Sequence, residues 1–162
     1  VFTVTRADGY QLSTDPDRLD LERVHAWLAT DAYWALGRDR PTVERAFAGS
    51  IGFGVYRPGD LRQVAVARVV TDRATFAWLC DVYVDRAERG RGLGTWLAGG
   101  VREHLAELGV RRILLATLDA HGVYAKLGFQ PVAANRFMEL DERVTPVTGK
   151  DQEPDSPLTV ER

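Results

Sequence analysis

Cysteine, methionine and lysine are nearly missing from this chain of 162 residues. The single cysteine, Cys80, excludes an internal disulfide, so folding has to rest on a hydrophobic core. No apolar run approaches the roughly 18 residues needed for a membrane-crossing helix. Nor does the amino end carry a basic stretch followed by an apolar one, the pattern of an export signal. An excess of one charge is lacking as well: 21 Lys+Arg stand against 23 Asp+Glu, a formal net charge of −2. That balance excludes a general basic field for nucleic acid or anionic lipid. Together these absences predict a cytoplasmic protein with neither nucleic acid nor membrane as partner. Only Lys126 and Lys150 are lysines among the basic residues. GC-rich coding explains that bias, and no function is assigned to it.

What is present is the composition of one soluble domain, 45% hydrophobic and 27% charged. The domain is expected over residues 1–140. Residues 141–162 differ, with prolines, acidic groups and few large apolar side chains, and are expected to form a mobile tail rather than a docked arm, because they bury too little to offset chain entropy.

Within the domain, strand and helix signals alternate, which predicts a mixed α/β sheet flanked by about four helices. A first strand is expected near Tyr10. Asp20 suits the N-cap of a helix carrying Leu21, Val24 and Leu28 at helical spacing. After a break at residues 38–41, a short helix follows with Val43 and Phe47 on one side. Residues 51–56 and 63–70 read as a hairpin around the turn residues Pro58, Gly59 and Asp60. Residues 76–84 carry Asp81 as their one charge and predict a central strand buried on both faces. Leu93, Leu97, Val101, Leu105 and Leu108 mark the clearest amphipathic helix, closed by Gly109. A strand over 112–118, a short helix over 120–127 ended by Gly128, and one or two strands in 129–140 complete the pattern.

The segment Arg89, Gly90, Arg91, Gly92, Leu93, Gly94 lies between the central strand and the long helix. Glycines let the main chain approach an anion closely, the first helical amides donate to it, and the helix dipole adds favourable potential. Arg89 and Arg91 supply charge. Two rival motifs fail. A dinucleotide fingerprint needs a glycine at 95 or 97, where Thr95 and Leu97 stand, and a P-loop needs a lysine after Gly94.

The run VYVDRAERGRGLG, with Arg89, Gly92 and Gly94 in place, resembles the coenzyme A signature of the GNAT superfamily of N-acetyltransferases. AHGVYAKLGF, with Ala120, Tyr124, Gly128 and Phe129, resembles the family's later helix, where a tyrosine precedes a Gly-Phe pair. The resemblance covers residues 1–140 in element order and 76–129 in motif. It implies a GNAT-like fold whose sheet is mostly antiparallel but splays between two parallel strands, those holding Val82 and Leu115. It further implies acetyl-CoA as co-substrate, with the pyrophosphate on the amides of Gly90, Arg91, Gly92, Leu93, Gly94 and Thr95, and the pantetheine arm along Val82, Tyr83 and Val84. Thr117 stands where many relatives carry an asparagine that touches the cofactor.

The implied reaction is transfer of an acetyl group to a primary amine by direct attack in a ternary complex, without a metal. A thiol of pKa about 8.5 leaves readily, so positioning supplies much of the catalysis. The Val82 backbone N–H maps onto the family's oxyanion donor. Tyr124 maps onto the proton donor for the departing thiolate. Asp81 has three readings: a base acting through water, a binder of the substrate ammonium, or a member of a buried ion pair. His121 is read as a capping or packing residue ahead of a base, and His25 and His104 as solvated on helix faces. The acceptor is expected beside the link between the first two helices, where Tyr33 and Trp34 wall a pocket that Trp78 and Tyr83 extend. Its identity, a small molecule or a peptide amine, is not legible. Homodimerisation is compatible with the resemblance. Two alternatives are a catalytically silent acyl-CoA-binding module, acting as sensor or structural subunit, and an unrelated nucleotide-phosphate binder.

Overall fold

A computed structural model describes residues 1–142. The chain divides into a compact unit over Val1–Gln130 and a second unit that begins at Pro131. The expected tail lies, from residue 143 onward, outside the described residues.

The first unit is a six-stranded sheet whose spatial order follows chain order. Its strands are β1 (Thr3–Thr5), β2 (Gln11–Ser13), β3 (Ile51–Tyr56), β4 (Gln63–Thr71), β5 (Ala77–Val84) and β6 (Ile113–Leu114). All neighbours are antiparallel except β5 and β6. The helices are α1 (Leu21–Thr30), α2 (Arg40–Ala48), α3 (Leu93–Glu107) and α4 (His121–Ala125). No helix among the described residues is long and apolar enough to cross a membrane.

Local sequence accounts for the helix ends. Asp20 caps α1 by accepting from the Arg23 N–H, and Asp39 caps α2 by accepting from Thr42, with Pro41 in the first turn where its missing N–H costs nothing. Gly109 follows α3 at φ 80°, the left-handed conformation expected of it.

Two cores sit on opposite sheet faces. On one, Leu93, Leu97, Val101 and Leu105 of α3 pack on Leu12, Phe53, Val55, Ala67 and Val69. On the other, Val24, Trp27 and Leu28 of α1 and Val43 and Phe47 of α2 cover Val66 and Tyr83. Each fully buried aliphatic side chain contributes about 2 kcal/mol relative to exposure.

Three local expectations are corrected. A strand the pattern does not signal, β1, pairs with β2. The strand expected over 112–118 contracts to Ile113–Leu114, which pairs only with Ala77 and Trp78. Among the described residues no strand lies on that side of Leu79–Val84, so β5 is a central strand at one end and an edge at the other. Buried Ala77 and Leu79 belong to one core and buried Tyr83 to the other, while Trp78, Cys80, Val82 and Val84 are half-buried, so the expected burial on both faces holds only in part.

The second unit holds no helix or strand in 131–142, against the one or two strands expected in 129–140. Pro131 lacks a ladder donor, and Asn135 turns the chain at φ 64°.

Candidate active site

The sheet opens where β5 and β6 part, and the glycine loop stands at the same end of β5. Asp85 accepts from the Ala87 N–H and caps a single 3-10 turn over Arg86–Glu88. The chain then takes positive φ at Gly90 (80°) and Gly92 (72°). A side chain at either position would meet no atom within 4 Å, so the space in front of the loop is open. Gly92 is the N-cap of α3 and offers no side-chain cap, and the first turn holds no acidic residue. The amides of Leu93, Gly94 and Thr95 thus keep their donors free at the positive end of a 15-residue helix. These features fit the diphosphate of coenzyme A.

The two arginines of the loop stay exposed but are held by partners of this chain. Arg89 donates from Nε to the Val84 carbonyl (3.0 Å), approaches Asp31 at 3.4 Å and stacks over the Tyr83 ring. Arg91 pairs with Glu88 at 3.3 Å, and its carbonyl accepts from Arg6 Nη1 at 3.0 Å. Glu88 is itself buried and accepts a 2.6 Å hydrogen bond from the Tyr10 hydroxyl. Arg6, Tyr10 and Glu88 carry no motif, yet they clamp the loop from behind.

Asp81 has φ 51°, a left-handed conformation that Asp tolerates better than most residues. The pairing explains it: Val66 faces Tyr83 and Arg68 faces Cys80, so Asp81 and Val82 together oppose Ala67. This bulge inserts one residue into β5 and reverses which side chains face which core. Ala77 and Leu79 join the core under α3, whereas beyond the bulge Val82 and Val84 do so and Tyr83 joins the other.

The bulge aims the Asp81 carboxylate at the α1–α2 link. Oδ1 accepts from Trp34 Nε1 (3.2 Å) and Arg38 Nη1 (3.1 Å), and Oδ2 from Arg38 Nη1 (3.1 Å) and Arg68 Nε (2.7 Å). Of the three readings of Asp81, the ion-pair geometry is the one present, and all four acceptor positions of the carboxylate are filled. Arg68 escapes the sequence reading although it is the lone charge in an apolar strand, the same signal that singles out Asp81 on the neighbouring strand.

Tyr124 lies on α4 with its ring buried edge-on against Phe129, centroids 5.7 Å apart. No described residue bonds its hydroxyl, which keeps access to solvent, unlike the sealed hydroxyl of Tyr56. Burial, with the nearby Tyr33 and Asp119 adding to it, raises its pKa above the ordinary phenol value. Tyr33 accepts from the Leu118 N–H at 3.3 Å and packs edge-on against Trp34. The α1–α2 link thus bonds Asp81 through Trp34 and the backbone of Leu118 through Tyr33.

Other candidates fall elsewhere. Tyr83 is in the core, stacked on Trp27 at 5.3 Å, and donates to Asp31 at 2.6 Å, which makes it a prop of α1 instead of a pocket wall. Burial, then the Asp31 bond, pushes its pKa up to about 12. Asp31 is held well below the usual carboxylate range by Arg86 and by Tyr83. Trp78 is half-buried at the paired end of β5, between Val70 and Leu114. Thr117 accepts from the Ala120 N–H at 3.0 Å and steadies the start of α4, leaving its hydroxyl proton to donate. His121 is exposed at the first position of α4. His104 is not solvated as expected: it contacts Phe2 and Phe53, and burial lowers its pKa.

A sheet parted beside an uncapped helix suits an extended ligand with an anionic end. The model of the Acetyltransferase (GNAT) family matches residues 19–129, and the chain belongs to that family and is an acyltransferase. It is 33% identical over 141 residues to an acetyltransferase-like protein of Gibberella zeae, covering 75% of this chain and 78% of the relative. A crystal structure from Xanthomonas campestris pv. campestris, assigned to the same family, superposes with TM-score 0.76 at 43% identity, over 82% of this chain and 92% of that one. An acetyltransferase-type protein of Clostridium acetobutylicum, solved with acetyl-CoA, shares the fold with TM-score 0.64 at 17% identity, over 82% and 95% of the two chains.

Proposed function

We propose that this chain transfers the acetyl group of acetyl-CoA to a primary amine, the two bound together. The observation that carries this reading is the unpaired side of Leu79–Val84 standing beside the free amides at the start of α3. Acetyl-CoA supplies a thioester whose carbonyl accepts an amine. Leu93, Gly94 and Thr95 donate to its diphosphate, and the open edge of β5 offers main-chain groups to its amide-bearing arm, as to an added strand. The Tyr83 main chain faces Val66 in the ladder with β4 and the Val84 carbonyl is already taken by Arg89, so the Val82 carbonyl is the acceptor left. The bulge at Asp81 frees a backbone N–H from regular pairing, and Val82 donates where negative charge develops on the carbonyl oxygen. Tyr124 holds a proton at Oη for the sulfur, and its raised pKa keeps that proton in place at neutral pH. Asp81, saturated by its donors, serves as a positioning residue for the α1–α2 link.

Calorimetric titration with acetyl-CoA, and with ATP as the rival anion, tests the cradle; free thiol followed with a panel of amines tests the reaction. Acetyl-CoA binding with amine-dependent thiol release is expected. Binding with no release across the panel would leave a silent acyl-CoA module, and tighter binding of ATP would remove the assignment.

A further inference from the structure

The Arg38–Asp81–Arg68 cluster is unbalanced. Two guanidiniums share one carboxylate, leaving one net positive charge beside the bulge. The imbalance extends to hydrogen bonding: the four acceptor positions of Asp81 are filled, whereas Arg38 uses only Nη1 of its donor set, and its Nε and Nη2 bond no described residue. Asp81 is sealed, with its side chain 2% exposed, but Arg38 remains 24% exposed. The donors are therefore spare on the member most open to solvent. Arg38 bonds the carboxylate of Asp81, the residue before Val82, so its spare donors stand beside the proposed oxyanion donor.

Such a site repels a simple ammonium or a polyamine and accepts a planar anion. The local positive charge also favours the neutral form of a bound amine, which is the nucleophilic form. Resting on the acetyl-transfer reading above, we infer that the acceptor is an amine that also carries a carboxylate, an amino acid in the broad sense, and that Arg38 holds that carboxylate through its spare donors. Arg68, with Nε on Asp81 and Nη1 on Ser50 Oγ (3.2 Å), fixes Asp81 and through it Arg38.

The full chain with acetyl-CoA is offered the protein-forming α-amino acids, β-alanine and γ-aminobutyrate, each beside its carboxamide and its decarboxylated amine. At least one amino acid should exceed both matched compounds in kcat/KM by about tenfold or more. Calorimetry of its N-acetyl product with the coenzyme A-loaded protein reads the same contact without turnover. Arg38→Gln should weaken that binding by about tenfold to a hundredfold, Arg38→Lys by less, and neither should change acetyl-CoA affinity. Equal or better use of the matched compounds, no binding of any carboxylate product, or undiminished binding by Arg38→Gln would overturn the assignment. If acetyl-CoA itself fails to bind, the acetyl-transfer reading fails and takes this one with it. If it binds and the carboxylates do not, only the acceptor assignment falls.

Discussion

Arg68 Nε lies 2.7 Å from Asp81 Oδ2 across the bulge between β4 and β5, and both side chains are largely withdrawn from water. Each is the lone charge of its strand. The pair, joined by Arg38 and Trp34, ties the sheet to the α1–α2 link just where the sheet begins to part. A buried carboxylate so engaged offsets two guanidiniums, and removing it strands them.

Asp81→Asn keeps the shape and tolerates the left-handed backbone, so it isolates the charge. It is expected to destabilise the fold by about 3 kcal/mol, read from the urea midpoint. Arg68→Ala should cost a similar amount. The double variant should lose less than the two losses added, because the partners share one interaction; strict additivity would show that the pair is not coupled.

Gly92→Glu places a carboxylate at the free amides of α3. The open space at Gly92 admits the side chain, and the positive φ costs about 1–2 kcal/mol for a residue with a Cβ. The variant should fold, by circular dichroism and thermal melting, yet bind acetyl-CoA about a hundredfold more weakly by calorimetry. Unaltered affinity would place the diphosphate elsewhere.

Tyr124→Phe removes a hydroxyl that bonds no described residue, so stability should change little. Turnover should drop about a hundredfold with acetyl-CoA affinity retained, as single-turnover kinetics can show. Because burial raises the Tyr124 pKa, the wild-type rate should show no loss from its ionisation below the ordinary phenol pKa of about 10.

Alkaline stability follows from Tyr56 and Tyr83, whose pKa values burial pushes from 10.0 to about 12. Between those values the folded state holds protons that the unfolded state has released, so stability falls as pH rises. Their contribution should be intact below pH 10.0 and lost progressively towards about 12. Denaturant midpoints across that window should fall less steeply in Tyr83→Phe than in the wild type; an equal slope would show that Tyr83 ionises as freely folded as unfolded.

Much of this architecture can be read along the chain because its causes are local. Asp20 and Asp39 announce helix starts through the backbone amides they cap. The spacing from Leu93 to Leu105 predicts the buried stripe of α3, and the glycines at 90 and 92 predict a turn that frees its first amides. Tyr124 and the Gly-Phe pair after it are similarly local. The strands at either end resist such reading: β1 is too short for alternation to register, and β6 stops at Leu114 because the sheet parts there, an event no residue between 115 and 118 signals.

The composition and periodicity of the chain suffice for its helices, its hairpin and its glycine turn, and two motifs suffice for the family resemblance, since each depends on neighbours within a few turns. The bulge at Asp81 is a matter of register between β4 and β5, and only that register sets which face the carboxylate takes and therefore that Arg38, Arg68 and Trp34 meet it. Charges 13 and 43 residues apart in the chain find one another because pairing strands and packing helices close those loops, and the cost of burying a charge then leaves them no other stable arrangement.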